Sequence, residues 1–142
     1  MSSHADPRRR ALEMLSGLSP ELKEGERHFA AGRFGQACRV AYDVISSAGK
    51  AALVAIDVEP PRWVDVGPQL DEHRRRFPGR LWGTLDALVF ASRVAWEERE
   101  AGFESGVGPA RAEQVYDDFD ARGALDTAVR VLRMVKELID AA

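Results

Sequence analysis

Residues 37–55 of the chain read ACRVAYDVISSAGKAALVA, and this stretch decides the fold class. Small side chains recur along it, and the larger aliphatic side chains lie between them. Because small side chains let neighbouring helix axes approach closely, we expect a helix over about residues 34–56 to lie inside a bundle. Pro60 and Pro61 follow and prevent further helix, since proline donates no backbone hydrogen bond.

Helical periodicity also dominates on both sides of this stretch, so the sequence predicts an all-α protein. A short helix is predicted to begin at Asp6 and Pro7 and to end near Gly17. Further helices are predicted over about residues 20–31, 65–77, 80–100 and 118–141. The wide apolar arc of the helix over residues 80–100 predicts a central position for it. Residues 101–117 are glycine-rich and form a long connection, which is typical of functional loops. We assign residues 1–18 to an N-terminal extension and residues 19–142 to the bundle.

Composition places the chain among globular proteins. It has 142 residues, of which 45% are hydrophobic and 30% are charged, and its formal net charge is −3. No apolar run reaches the roughly 18 residues of a membrane-spanning helix, and the first residues do not resemble a signal peptide, so we expect a cytoplasmic protein without membrane contact. Arg74, Arg75 and Arg76 form the densest positive cluster, but they spread around a helix next to Asp71 and Glu72. General RNA binding is therefore not favoured.

Side chains that commonly hold cofactors are scarce. Cys38 is the only cysteine, and the three histidines are far apart, so the sequence predicts no disulfide, no metal site and no cofactor. Phosphate-binding glycine loops and hydrolase motifs are absent as well. Lysine is rare and asparagine does not occur. A thermophilic origin and GC-rich codon usage explain this bias equally well.

A charged row on the helix over residues 80–100 is the main candidate for function. Asp86, Arg93, Glu97 and Glu100 fall on one face of this helix, together with Phe90. On an otherwise apolar helix such a row lines a cleft or an interface, or it simply faces solvent; both alternatives stay open.

Several segments resemble HEPN domains, the nucleotide-binding helical bundles of higher eukaryotes and prokaryotes, and above all their small stand-alone archaeal and bacterial forms. The resemblance is carried, in this order, by residues 41–53 (AYDVISSAGKAAL), 60–70 (PPRWVDVGPQL), 75–78 (RRFP), 98–103 (EREAGF) and 118–128 (DFDARGALDTA). It covers about residues 20–140. It implies an up-and-down bundle of four to five main helices, a homodimer, and a minimal nucleotidyltransferase as partner, as in toxin–antitoxin systems.

The chain departs from the nuclease branch of that family. Members with ribonuclease activity carry an arginine followed four to six residues later by a histidine, and no arginine precedes His28 or His73 at that interval. The resemblance therefore implies a non-catalytic module that binds a nucleotide, a nucleotidyltransferase, or both. A divergent metal-independent endoribonuclease and a plain helical scaffold are the alternatives.

Within this hypothesis each candidate residue has an expected role. Arg93 and Arg99 would donate hydrogen bonds to phosphates. Glu97 and Glu100 would orient these two arginines or bind basic residues of a partner. Asp86 would extend the row, and Phe103 and Tyr116 would close the cleft from the long connection.

Overall fold

The computed structural model describes residues 6–62, 65–101 and 115–142. Its α-helices are α1 (Pro7–Ser16), α2 (Leu18–Ala30), α3 (Phe34–Ala55), α4 (Gly67–Glu72), α5 (Trp82–Arg99) and α6 (Asp118–Ala141). They form a helical bundle without a β-strand in these three ranges, which confirms the all-α prediction. None of the described helices is long and apolar enough to cross a membrane. The up-and-down, HEPN-like connectivity stays a prediction.

The first two helices follow one another almost without a break. Asp6 caps α1 by accepting a hydrogen bond from the backbone N–H of Arg8 (3.3 Å), as the sequence predicts. α2 then begins at Leu18, two residues before the predicted start at Pro20. The reason is Gly17, whose backbone stays in the helical region (φ −68°, ψ −14°). Leu18 is thereby placed in the core, where 6% of it is exposed.

α3 is the centre of the bundle and packs against each of the other five α-helices. Thirteen of its residues are buried, most of them small. The structure thus gives α3 the central position that the sequence suggested for the helix over residues 80–100. α5 keeps one face exposed, because Trp82 and Phe90 point away from the core with 37% and 60% of their surface accessible. α1 shares the same core through Ala11 and Leu15.

Two glycines mark places where elements approach too closely for a side chain. A Cβ atom on Gly25 of α2 would lie 2.9 Å from Cδ2 of Leu125 on α6 and 3.1 Å from Cγ1 of Val40 on α3. A Cβ atom on Gly49 of α3 would lie 2.7 Å from Cγ2 of Val66. Real Cβ atoms hardly ever show contacts under 3.0 Å, so an alanine at either position would force the neighbouring side chain to shift.

The segment between α4 and α5 is held by side-chain contacts to backbone and to neighbouring helices. A 3-10 turn at Arg74–Arg76 replaces the end of the predicted helix over residues 65–77. The Arg76 guanidinium donates to the carbonyl of Ile56 (2.6 Å), and the indole N–H of Trp82 donates to the carbonyl of Phe77 (3.1 Å). Arg74 lies over the Trp82 ring. Arg74 and Arg76 therefore serve the fold itself.

α6 begins with a reciprocal cap. Oδ1 of Asp117 accepts a hydrogen bond from the backbone N–H of Asp120 (2.9 Å), and Oδ2 of Asp120 accepts one from the backbone N–H of Asp117 (3.1 Å). Two N–H groups without a partner inside the helix are satisfied in this way.

Removing this cap is expected to destabilise the bundle measurably. Asp117→Ala should lower the free energy of unfolding by about 1 kcal/mol, because the N–H of Asp120 loses its acceptor. Asp117→Asn is the matched control and should cost only a few tenths of a kcal/mol, since asparagine caps equally well. Urea denaturation followed by circular dichroism measures both; equal losses in the two variants would contradict the role of the cap.

Candidate functional site

The predicted charged row lies on the outer face of α5. Asp86 is ion-paired with Arg74, and the hydrogen bond to Asp86 is the main cause of a raised pKa for the Arg74 guanidinium. Arg93 and Glu97 are exposed. The guanidinium carbon of Arg93 lies 5.6 Å from the centroid of the Phe90 ring, a cation–π distance. Phe90 connects the row to a groove beside it.

This groove, which we call the aromatic groove, lies between α3, α5 and α6 and has a volume of about 430 Å³. Phe90 flanks it on α5 and Phe119 on α6, with 60% and 84% of their surface exposed. The other lining residues are Tyr42, Ile45, Ala87, Ala91, Val94, Ala95, Asp120, Gly123, Ala124, Thr127, Arg130 and Met134. The charged row borders this groove, but its members Asp86, Arg93 and Glu97 do not line it.

Sequence reasoning placed Phe90 beside the row but missed Phe119. A signal for it exists, because Phe119 lies off the stripe formed by the buried Ala121, Leu125 and Ala128 of α6. A large apolar residue outside the buried stripe of an amphipathic helix indicates a second apolar contact.

A second, smaller site lies where α3, the residues before α4, and α5 meet. We call it the polar cleft; its volume is about 60 Å³. It is lined by Ser46, Lys50, Asp65, Val66, Ser92, Trp96 and Arg99. Of these, only Arg99 belongs to the predicted site residues. The structure therefore divides the predicted site into the row beside the aromatic groove and Arg99 in the polar cleft.

Hydrogen bonds hold the walls of the polar cleft. The hydroxyl of Ser92 donates to Oδ1 of Asp65 (2.6 Å), and the backbone N–H of Gly67 donates to the same oxygen (2.9 Å). Nε of Arg99 lies 3.3 Å from Oδ1 of Asp43, and the Arg99 side chain is 22% exposed. Arg99 thus points toward α3 and not along the exposed row.

Tyr116 is separated from the row. The hydroxyl of Tyr116 donates to Oε2 of Glu98 (3.0 Å), its ring lies 6.4 Å from that of Tyr42, and only 8% of the residue is exposed. Tyr116 therefore ties the residues before α6 to α5, behind the groove wall that Tyr42 forms. Glu100 is exposed just after α5. Phe103 lies outside the described residues.

Burial of the two tyrosines predicts a loss of stability at alkaline pH. Desolvation raises the pKa of both Tyr42 and Tyr116, and the hydrogen bond to Glu98 raises that of Tyr116 further. The folded protein favours the neutral form of both phenols. Their contribution to the free energy of unfolding is therefore complete below the pKa of tyrosine in the unfolded chain, about 10, and is lost as the pH rises above it.

Urea denaturation at a series of pH values from neutral to alkaline tests this effect. Tyr116→Phe should lower the free energy of unfolding by about 1 kcal/mol at neutral pH, through loss of the hydrogen bond. The same variant should flatten the decline above about pH 10, because one titrating group is gone. A decline as steep as that of the unaltered protein would contradict the assignment to Tyr116.

One arginine–histidine contact occurs among the described residues, and its order is the reverse of the ribonuclease motif. Nε of Arg33 donates to Nδ1 of His28 (2.9 Å), but the arginine follows the histidine, at the turn between α2 and α3. The backbone N–H of Arg33 also donates to the carbonyl of His28 (2.8 Å), so this pair closes the turn. No cluster of three or more potential metal ligands occurs within the described ranges.

Comparison with known proteins adds no assignment to this geometry. No family model, no curated protein and no solved structure matches the chain significantly.

Proposed function

We propose that this chain is a non-catalytic, HEPN-like helical module that binds a protein partner through the aromatic groove. The observation that supports this proposal is the pair of exposed phenylalanines, Phe90 and Phe119, on either side of an apolar groove. Large exposed apolar patches on soluble domains are typical of interaction surfaces. Aromatic side chains at the centre of an interface contribute much of the binding energy.

The charges around the groove favour a polypeptide over a nucleic acid. Arg93 and Glu97 border it on α5, and Asp120 and Arg130 line it on α6. Both signs are present on both helices, so the rim can orient a partner that also carries both signs. A polyanion would lie against the carboxylates of Glu97 and Asp120, and their repulsion would offset its attraction to the two arginines.

The HEPN resemblance favours a minimal nucleotidyltransferase as this partner, and a second copy of the chain as the alternative. The missing arginine–histidine spacing supports a non-catalytic module. Nucleotide binding, which the resemblance also implies, finds little support in the aromatic groove, where Arg130 is the one cation among the described residues that line it.

The proposal is tested with the purified chain, first alone and then mixed with a minimal nucleotidyltransferase. Light scattering measures the molar mass of the chain alone and of the mixture, against 15.7 kDa for one copy. Isothermal titration then gives the affinity. A defined complex with the nucleotidyltransferase supports the proposal. A chain that stays a monomer and forms no such complex would overturn it.

A further inference from the structure

We infer that the polar cleft binds a phosphate group, with Lys50 and Ser46 of α3 as its principal donors. This inference is independent of the aromatic groove. It gives the module a second, anionic ligand, whose principal donors Lys50 and Ser46 had no role in the motif analysis; Arg99 alone was already an expected phosphate donor.

The first support is a set of polar groups that line the cleft without internal partners. Ser46 and Lys50 are one helical turn apart, so they lie on the same face of α3, and both are half-buried. Within the described residues the structure gives the Lys50 ammonium no ion pair and no hydrogen bond, and the same holds for the Ser46 hydroxyl. Neither the Lys50 ammonium nor the Ser46 hydroxyl is shut off from solvent, so both groups can donate to an anion that enters the cleft.

The placement of donors supports an oxyanion. Arg99 provides a second cation on the opposite wall, in an orientation that its ion pair with Asp43 (3.3 Å) helps to hold. Asp65 is the carboxylate that lines the cleft among the described residues, and its Oδ1 already accepts hydrogen bonds from Ser92 and from the backbone N–H of Gly67. Because Asp43 and Asp65 balance Arg99 and Lys50 in charge, the donors on two sides of the cleft, and not a net positive charge, favour an oxyanion.

The size of the cleft limits what enters it. A volume of about 60 Å³ suits a group of a few heavy atoms, because on this measure a cavity of about 10–15 Å³ already holds one water molecule. A phosphate group fits this description, whereas a whole nucleotide does not. Free inorganic phosphate and the phosphate of a nucleotide share this chemistry.

Phosphate binding is tested by titrating inorganic phosphate and adenosine monophosphate into the full chain at constant ionic strength. Backbone amide NMR shifts and the melting temperature are the measurements, and chloride is the reference salt. We expect saturable shifts at residues of the cleft and a higher melting temperature. Lys50→Met keeps the aliphatic stem and removes the charge, so phosphate should bind about tenfold more weakly or not measurably.

Lys23→Met is the matched control, because Lys23 is an exposed lysine on α2 outside the cleft. It should bind phosphate like the unaltered chain. Saturation with inorganic phosphate supports the inference and assigns the site to free phosphate. Saturation with adenosine monophosphate alone, lost in Lys50→Met, supports it and assigns the site to nucleotides. No saturable shift with either ligand, or equal affinities in Lys50→Met and the unaltered chain, would overturn it.

A Ser46→Ala variant shows whether the result depends on the folding of Lys50→Met. This substitution removes one hydrogen-bond donor and no charge. We expect weaker phosphate binding and an unchanged melting temperature of the ligand-free protein. Unchanged phosphate binding would show that Ser46 is not part of the site. A failure of phosphate binding in the polar cleft can also be told apart from a failure of the proposed protein complex. Lys50→Met should still bind the protein partner, and variants of the aromatic groove should still bind phosphate.

Discussion

Replacing Leu125 by alanine is expected to lower the free energy of unfolding by about 2–5 kcal/mol. Leu125 is completely buried where α6 meets α2 and α3. The substitution removes apolar contacts and leaves a cavity that the close-packed helices fill only in part. Urea denaturation followed by circular dichroism measures the loss.

Leu132→Ala is the matched control, because Leu132 lies seven residues further along the same helix and is only partly buried. Leu132→Ala should lower the free energy of unfolding clearly less than Leu125→Ala does. A second test uses Gly25, whose added Cβ would lie 2.9 Å from Cδ2 of Leu125. Gly25→Ala should therefore be less destabilising in the Leu125→Ala background than alone. Equal costs for Leu125→Ala and Leu132→Ala, or additive effects of the Gly25 and Leu125 substitutions, would contradict this packing.

Replacing both Phe90 and Phe119 by aspartate is expected to weaken the proposed protein complex by about 30-fold or more. Both side chains are largely exposed, so the free protein should lose little stability. In the complex, each aspartate would put a charge into an apolar contact, and its desolvation would oppose binding. Isothermal titration against the nucleotidyltransferase, with light scattering for self-association, measures the effect.

Met14→Asp is the control for this experiment. Met14 is also an exposed large apolar residue, with 37% of its surface accessible, but it lies on α1 and does not line the aromatic groove. It should bind the partner like the unaltered chain. If Met14→Asp weakened the complex as much as the double variant, or if the double variant bound normally, the aromatic groove would not be the interface.

The site was less predictable than the helices that carry it. Periodicity placed the charged row on one face of α5 but could not tell whether that face meets solvent or another helix. The polar cleft combines residues from three separate parts of the chain: Ser46 and Lys50 on α3, Asp65 before α4, and Ser92 and Arg99 on α5. No spacing in the sequence relates these parts, because their proximity results from the packing of α3 against α4 and α5.

The local structure follows from the amino-acid sequence: the all-α class, the cap at Asp6, the helical stretch rich in small residues that forms α3, and the start of α6 at Asp118. These features depend on side chains close together along the chain, through capping, helical periodicity and proline. The packing of the helices, in contrast, places α3 and not α5 at the centre, brings Phe119 to the same groove as Phe90, and sets Lys50 across a cleft from Arg99. Burial and long-range contacts depend on how helices distant in sequence pack together, and the periodicity of a single helix does not contain that information.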